Sequence, residues 1–449
     1  MPTVKLFETS PAGHRLTALA PPAFQPGLEN WYQGQAIVLE PRVRYQTWLG
    51  FGGAFTESAA FVLSHLDHAA QDAILTLYFH PTDGLGYRFG RTHINSCDFS
   101  LGNWSCADVP GDLALEHFDL SRTHQYITPL IKRALAIEGA QIDLLASPWS
   151  PPGWMKTTGE MNHGGKLRPE HRQVWADHYV RWILGMREAG VQTWGLTVQN
   201  EPAAVQVWDS CIYSAEEERD FVRDHLGPAL HAAGLQAINV VIWDHNREIA
   251  FDRAYTVLSD PEAAKFVWGT GLHWYSGDYF DQLTQIHDTF PEHHLMFTEG
   301  CCEGGVKLGQ YDRATRYVHH ILGDMNHGCE AWLDWNLVLD HTGGPNHVGN
   351  LCDAPIIVDT RTGEVHKQPS FYAIGQFSRF IQRGAQRIGR STVGGPLEST
   401  AWRNPGGGLV LVVFNPSDDE LTYRVLVGDG GVQGTIGGLA IQTWVLSGV

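Results

Sequence analysis

The chain has 449 residues, enough for a large buried core and more than one structural unit. A formal charge of −18 and the lack of any basic run exclude a surface that tracks nucleic-acid phosphates. No stretch approaches the roughly 20 continuous apolar residues of a membrane span.

The first segment, Met1-Pro2-Thr3-Val4-Lys5-Leu6-Phe7-Glu8, lacks the charged-then-apolar pattern of a signal peptide, so a cytoplasmic location is expected. The seven cysteines are odd in number and contain no C-x-x-C pair, which reads as reduced thiols. The 23 histidines show no H-x-H and no H-E-x-x-H, so neither a metal nor any other cofactor is expected.

Residues 1–46 read as short strands and turns: Val4–Phe7, Arg15–Leu19 and Ala36–Glu40, the last after a proline-rich stretch. From about residue 47 the rhythm changes. Ser121 to Gly139 carries Ile127, Leu130, Ile131, Ala134 and Leu135 at helical spacing, and the strand Gln141–Ala146 follows. Trp175, Tyr179, Trp182, Ile183 and Met186 mark a second helix, and the strand beginning at Trp194 follows Gly190. Ser214-Ala215-Glu216-Glu217 fits a capping box. Phe221, Val222 and Leu226 extend that helix, Gly227-Pro228 breaks or kinks it, and the strand Ile238–Trp243 comes next. Helix, glycine and strand in repeated succession predict βα units and a parallel sheet.

Eight such strands centre on Phe51, Phe89, Leu144, Leu196, Val241, Trp268, Met296 and Trp332, which predicts a (β/α)8 barrel over 47–384. An open doubly wound sheet is the alternative, but Gly50-Phe51-Gly52-Gly53-Ala54-Phe55 does not fit its phosphate-loop pattern. In residues 385–449, Leu409–Phe414, Leu421–Leu426 and Ala440–Val445 read as strands. The fold class is therefore α/β, a barrel with an all-β side domain built from both chain ends.

In such a barrel function gathers at the C-terminal ends of the strands. Those ends read Arg91–Asp98, Ser147-Pro148-Trp149, Asn200-Glu201, Asp244-His245, His273-Trp274-Tyr275, Thr298-Glu299-Gly300 and Asp334-Trp335-Asn336. All are polar or aromatic behind apolar strands. Glu201 follows the fourth strand and Glu299 the seventh, on facing sides of a closed barrel. Two carboxylates across one pocket are the apparatus of glycoside hydrolysis, with their spacing deciding between retention and inversion. Metal ligation is a minor alternative for the same pair, since no histidine set is expected to converge on it. Glu57, Asp244 and Asp334 are read as structural.

Gly50-Phe51-Gly52-Gly53-Ala54-Phe55-Thr56, Ser96-Cys97-Asp98-Phe99-Ser100, Ala146-Ser147-Pro148-Trp149-Ser150-Pro151, Gln199-Asn200-Glu201-Pro202, His273-Trp274-Tyr275 and Gly343-Gly344-Pro345-Asn346 occur in this order. Together they resemble glycoside hydrolase family 30, nearest its glucosylceramidase branch, over nearly the whole barrel. The resemblance implies a retaining β-glycosidase acting on terminal β-glucosides, with a carbohydrate or glycolipid substrate. It implies Glu201 as acid/base, Glu299 as nucleophile and Asn200 as partner of the sugar 2-OH. Asp98, Trp149, Trp335 and Asn346 match sugar-holding positions, and Arg91 and Tyr275 match groups that keep the nucleophile ionised. Read from the residues alone, each has a plainer alternative: core packing for the two tryptophans, a barrel-floor ion pair for Arg91, a turn cap for Asp98. A β-xylosidase, β-fucosidase or β-1,6-glucanase remains open within the same family. So does a carbohydrate-binding barrel without turnover, although the presence of both glutamates argues against it.

Overall fold

The computed structural model describes residues 2–28 and 34–449. Eight parallel strands close into a barrel: β1 (Gly50–Ala54), β2 (Phe89–Ile94), β3 (Asp143–Pro148), β4 (Thr193–Thr197), β5 (Asn239–Asn246), β6 (Val267–His273), β7 (His294–Glu299) and β8 (Ala331–Asn336). Each pairs with its neighbour in sequence, and β8 pairs with β1 through Trp332 and Phe51, which shuts the cylinder. All eight strands expected from the sequence are present, and the open-sheet alternative is excluded.

Alternation along each strand decides what enters the cylinder. Phe89, Leu145, Val241, Met296, Ala331 and Leu333 form one buried cluster inside, with Leu49, Trp194 and Trp268 packed beneath. Trp194 meets Phe89 and Trp268 edge to face, at 5.1 and 4.9 Å between ring centroids. The interior is thus a packed floor, and two residues further along β2 the same face presents Arg91. The floor fixes the height at which polar side chains begin.

Around the barrel the helices form where the apolar spacing predicts them. The Ser214 capping box is formed with Glu217 at the head of the helix Ala215–Phe221. Ahead of Pro228 the chain relaxes into a π-helical turn over Val222–Leu226 and then resumes as Gly227–Ala232. Widening the turn removes the clash a proline ring makes with the carbonyl of the preceding turn. The segment 121–135 is two helices, Ser121–Gln125 and Ile127–Leu135, broken at Tyr126.

The side domain is a ten-stranded sheet drawing strands from both chain ends. The long strand Gln35–Thr47 pairs antiparallel with Gln386–Val393 and parallel with Leu421–Val427. The sheet folds over a core of its own, including Leu6, Ile37, Ile388, Leu411, Tyr423 and Trp444. Trp444 Nε1 donates to Tyr423 Oη at 2.6 Å, and a Cβ on Gly434 would stand 3.0 Å from the Trp444 ring, so glycine there gives the indole its closest approach. Glu398–Arg403 and Gly430–Ile436 are strands that sequence reading passed over, as is a small sheet of Val338–Asp340, Ile356–Asp359 and Glu364–Lys367. Among the described residues no helix is long and apolar enough to cross a membrane.

Between β8 and its covering helix (Asp312–Asn326), Trp332 stacks on Phe297 at 4.5 Å and donates from Nε1 to Asp324 at 3.1 Å. Trp332→Ala should therefore destabilise the barrel by about 3–5 kcal/mol in urea unfolding. A loss below about 1 kcal/mol would show that this contact is not part of the cooperative core.

Candidate active site

Arg91 is the centre of the site. Alternation aims it inward from β2, and it is fully buried. Its planar fork reaches four strand ends. Nε donates to Ser147 Oγ at 3.1 Å, Nη2 to Asn200 Oδ1 at 2.8 Å and to Asp244 Oδ2 at 2.9 Å, and Nη1 to Glu299 Oε2. The guanidinium lies 4.8 Å from the Trp149 ring and 5.4 Å from the Trp335 ring, within cation–π range of both. The floor-pair alternative for Arg91 gives way to an ion pair with Glu299 itself.

Glu299 ends β7. Besides Arg91, it accepts from Tyr275 Oη at 2.9 Å. Burial pushes its carboxyl above the ordinary range, opposed by His273 and Arg91. Glu201 lies beyond the end of β4, where backbone pairing continues: Asn200 N–H donates to Pro148 O at 2.8 Å, and Glu201 N–H to Asp244 O at 3.0 Å. Glu201 itself has φ +49°, the left-handed region that side-chain-bearing residues rarely enter. The bonds on both sides hold it there, with Pro202 behind.

Asp244, read from the sequence as structural, joins the two carboxylates. It accepts from Arg91 on one oxygen; on the other it accepts from Thr298 Oγ1 at 2.6 Å and bonds His273 Nε2 at 3.1 Å. The opposite ring nitrogen of His273, Nδ1, meets Glu201 Oε1 at 3.2 Å. Strict alternation from Val241 would have sent Trp243 inward and Asp244 outward. Instead the pairing with β6 slips, Thr270 opposing Ile242 but Leu272 opposing His245, so β5 holds an extra residue. Trp243 and Asp244 take φ values of +68° and +49° there, and the bulge turns Asp244 into the barrel.

His245 reaches the site as well, with Nδ1 3.7 Å from Glu201 Oε1. The expectation that no histidines converge on the carboxylate pair is corrected: Glu201, His245 and His273 present ligand atoms all within 4.8 Å of one another. They come from three different strand ends, so no local spacing motif reveals them. Burial pushes the Glu201 carboxyl up, but His245 and His273 outweigh it and bring it down to about 2. Burial pulls His273 down, while Glu299, Asp244 and Glu201 carry it up to about 9. In the resting site the proton of the Glu201–His273 pair therefore sits on the imidazole.

A cavity of about 150 Å³ opens above these groups, lined by Glu201, Glu299, Asn200, Asp98, Tyr275, His245 and the two tryptophans. Trp149 and Trp335 stack at 5.2 Å and 23° and form one aromatic wall. Asp98 accepts from Asn346 and Asn350, each at 3.2 Å, and burial raises its carboxyl to about 7. Asn350 lines the cavity. Asn346 stands one step behind it, its Oδ1 accepting the N–H groups of Val348 and Asn350. Cys301 lines the cavity as well, and so do Cys352, Trp208 and Asn246, which nothing in the sequence singles out. A larger groove of about 800 Å³ crosses the side domain, but no tryptophan, tyrosine or phenylalanine lines it.

A closed βα barrel with two carboxylates and an aromatic wall at its C-terminal rim is built as a glycoside hydrolase. The chain belongs to glycosyl hydrolase family 30: residues 48–381 match its TIM-barrel domain and residues 384–444 its beta sandwich domain. It is 36% identical over 432 residues to the lysosomal acid glucosylceramidase of Mus musculus, spanning 92% of this chain and 83% of that protein. Among solved structures it is similar to SrfJ from Salmonella typhimurium, with a TM-score of 0.95, 36% identity and 99% of each chain covered. It is also similar to the endo-beta1,6-glucanase BT3312, with a TM-score of 0.88, 29% identity and 98% of each chain covered.

His273 leads to a pH prediction. Its folded value lies above the ordinary 6.5, so the stability it confers is complete below 6.5 and lost as pH rises through about 9. The urea midpoint of the wild type should fall over that window, and more steeply than that of His273→Gln. Equal slopes in the two proteins would refute the assignment.

Proposed function

We propose that the protein is a retaining β-glucosidase that releases terminal glucose by double displacement, with Glu299 as nucleophile and Glu201 as acid/base. The observation that carries this reading is the unequal environment of the two carboxylates lining one cavity. Glu299 is clasped by Arg91 and Tyr275, which stabilise and aim an anion. Glu201 instead bonds a histidine that holds a transferable proton. Substrate arrival returns that proton from His273 Nδ1 to Glu201 Oε1 across 3.2 Å, and Glu201 passes it to the departing glycosidic oxygen.

The Glu299 oxygen then closes on the anomeric carbon, forming a glycosyl ester as the glycosidic bond breaks. Water attacks the ester, and Glu201 takes up its proton. Asn200, held by Arg91 and lining the cavity, is positioned for the sugar 2-OH. Asp98, with Asn350 beside it, accepts from further ring hydroxyls, while Trp149 and Trp335 pack against the apolar face of the ring.

Similarity to the mouse glucosylceramidase supports glucose as the sugar and an apolar aglycone. The rim fits such an aglycone. Val205 and Val207 are 67% and 58% exposed on either side of Gln206, and Gln206 and Trp208 line the cavity. Similarity to the endo-beta1,6-glucanase favours a second reading, cleavage within a β-1,6-linked glucan.

Two experiments test this. Glu299→Ala should abolish turnover of nitrophenyl β-glucoside, and azide should restore product formation as the α-glycosyl azide. Glu201→Ala should lose about 10²–10⁴-fold on substrates with poor leaving groups, and azide should give the β-azide. Full activity in both variants ends the proposal. Second, the wild type should release glucose from glucosylceramide and alkyl β-glucosides faster than it cuts a β-1,6-glucan. The reverse preference establishes the second reading.

A further inference from the structure

The trio beside the cavity has the chemistry of a metal site as well as that of an acid catalyst. Glu201 Oε1 stands 3.2 Å from His273 Nδ1 and 3.7 Å from His245 Nδ1. With metal–ligand bonds near 2.0–2.1 Å, the ligand atoms of a tetrahedral zinc ion lie about 3.4 Å apart. The two distances bracket that edge. Among the described residues His245 Nδ1 has no hydrogen-bond partner although the residue is only 7% exposed. An orphaned, buried imidazole nitrogen beside a carboxylate is a lone pair waiting for a donor or an ion.

The support behind His273 is that of a metal ligand. Its far nitrogen, Nε2, bonds Asp244 Oδ1, which fixes the ring and aims the other nitrogen at Glu201. A carboxylate behind a ligating histidine is the recurrent outer partner of zinc sites. Asp244 is in turn held by Arg91 and Thr298. Glu201 and His245 both line the cavity, so the trio is open to it on that side. Two imidazoles and one carboxylate select a borderline transition ion over Mg²⁺ or Ca²⁺, which need more oxygen ligands.

We propose that Glu201, His245 and His273 form a three-ligand site for a divalent transition ion, represented by Zn²⁺, and that its occupation shuts the glycosidase off. Binding follows from the trio's geometry alone. Inhibition rests additionally on Glu201 being the acid/base: coordination takes up the oxygen that must carry the proton and places a cation where the glycosidic oxygen arrives. The ion and the substrate therefore exclude each other.

The test separates these two parts. Zn²⁺ is titrated calorimetrically into the full-length wild type, His245→Ala, Glu201→Gln and a Cys301→Ser/Cys352→Ser double variant. Co²⁺ absorption serves as a second readout of coordination. The wild type should bind one Zn²⁺, with the visible band of a four-coordinate nitrogen–oxygen site. His245→Ala and Glu201→Gln should each weaken binding by at least about tenfold, and the double cysteine variant should bind as the wild type does. Zn²⁺ should also inhibit nitrophenyl β-glucoside hydrolysis competitively, at least about tenfold less potently in His245→Ala. Binding unchanged in His245→Ala, or lost with the cysteines, overturns the site. Binding at the trio without inhibition overturns the regulatory half and counts against Glu201 as acid/base.

Discussion

One buried guanidinium holds the rim of this barrel together. Arg91 is wholly removed from water yet keeps its charge, because two carboxylates and two neutral oxygens occupy its fork. Its acceptors stand at the ends of four different strands, so the cation sets the relative positions of β3, β4, β5 and β7 at their functional ends. A lysine could not reproduce this, since an ammonium lacks the planar fork that reaches several oxygens at fixed angles. Removing a partner from such a buried cluster costs roughly 3–5 kcal/mol, because an uncompensated charge remains. The aromatic wall is tied to the same cation, with Trp149 and Trp335 both within cation–π range. The packed floor of Phe89, Leu145, Val241 and Met296 makes the arrangement possible by fixing where apolar filling stops.

Backbone strain gathers around this cluster. Glu201, Trp243 and Asp244 all take positive φ, and the Glu201 N–H is bonded to the Asp244 carbonyl. Each such residue costs of order 1–3 kcal/mol and persists only where its surroundings over-determine it. Here the determinants are the pairing of the Asn200–Glu201 segment to both neighbouring strands and the extra residue in β5. The scaffold therefore carries a local cost in order to aim Glu201 and Asp244 at one point.

The barrel was legible in the sequence because its signals are local and repeated. Eight apolar strands alternate with amphipathic helices, and their polar ends fall where chemistry belongs. Glu201 and Glu299 stood out for the same reason. Asp244 did not, because the bulge in β5 reverses the inward–outward alternation running from Val241, and the meeting of His245 and His273 with Glu201 joins three strand ends that no local spacing links. With the phase reversed, Asp244, read as structural from the sequence, becomes the bridge between both carboxylates. Gly430–Ile436 was missed for a different reason. Its glycines carry no propensity signal, and what crowds them comes from elsewhere in the fold: Phe24 at Gly430, the Val425 carbonyl at Gly431 and the Trp444 ring at Gly434. Asn346 and Asn350 show the finer limit: one loop contains both, and only the folded loop decides which faces the cavity.

The shared connection to Asp244 also bears on how one glutamate serves as acid and then as base in the proposed reaction. While Glu299 is a carboxylate, its charge opposes ionisation of Glu201 and favours a proton on His273. Both effects keep a proton on the acid side of the site for the departing oxygen. Forming the glycosyl ester makes Glu299 neutral, and its repulsion of an ionised Glu201 ends. Glu201 is then more stable as a carboxylate, the form that accepts a proton from water in the second step. In the proposed reaction the switch from acid to base is therefore electrostatic in origin, with Arg91 bonded to Glu299 and to the Asp244 that supports His273.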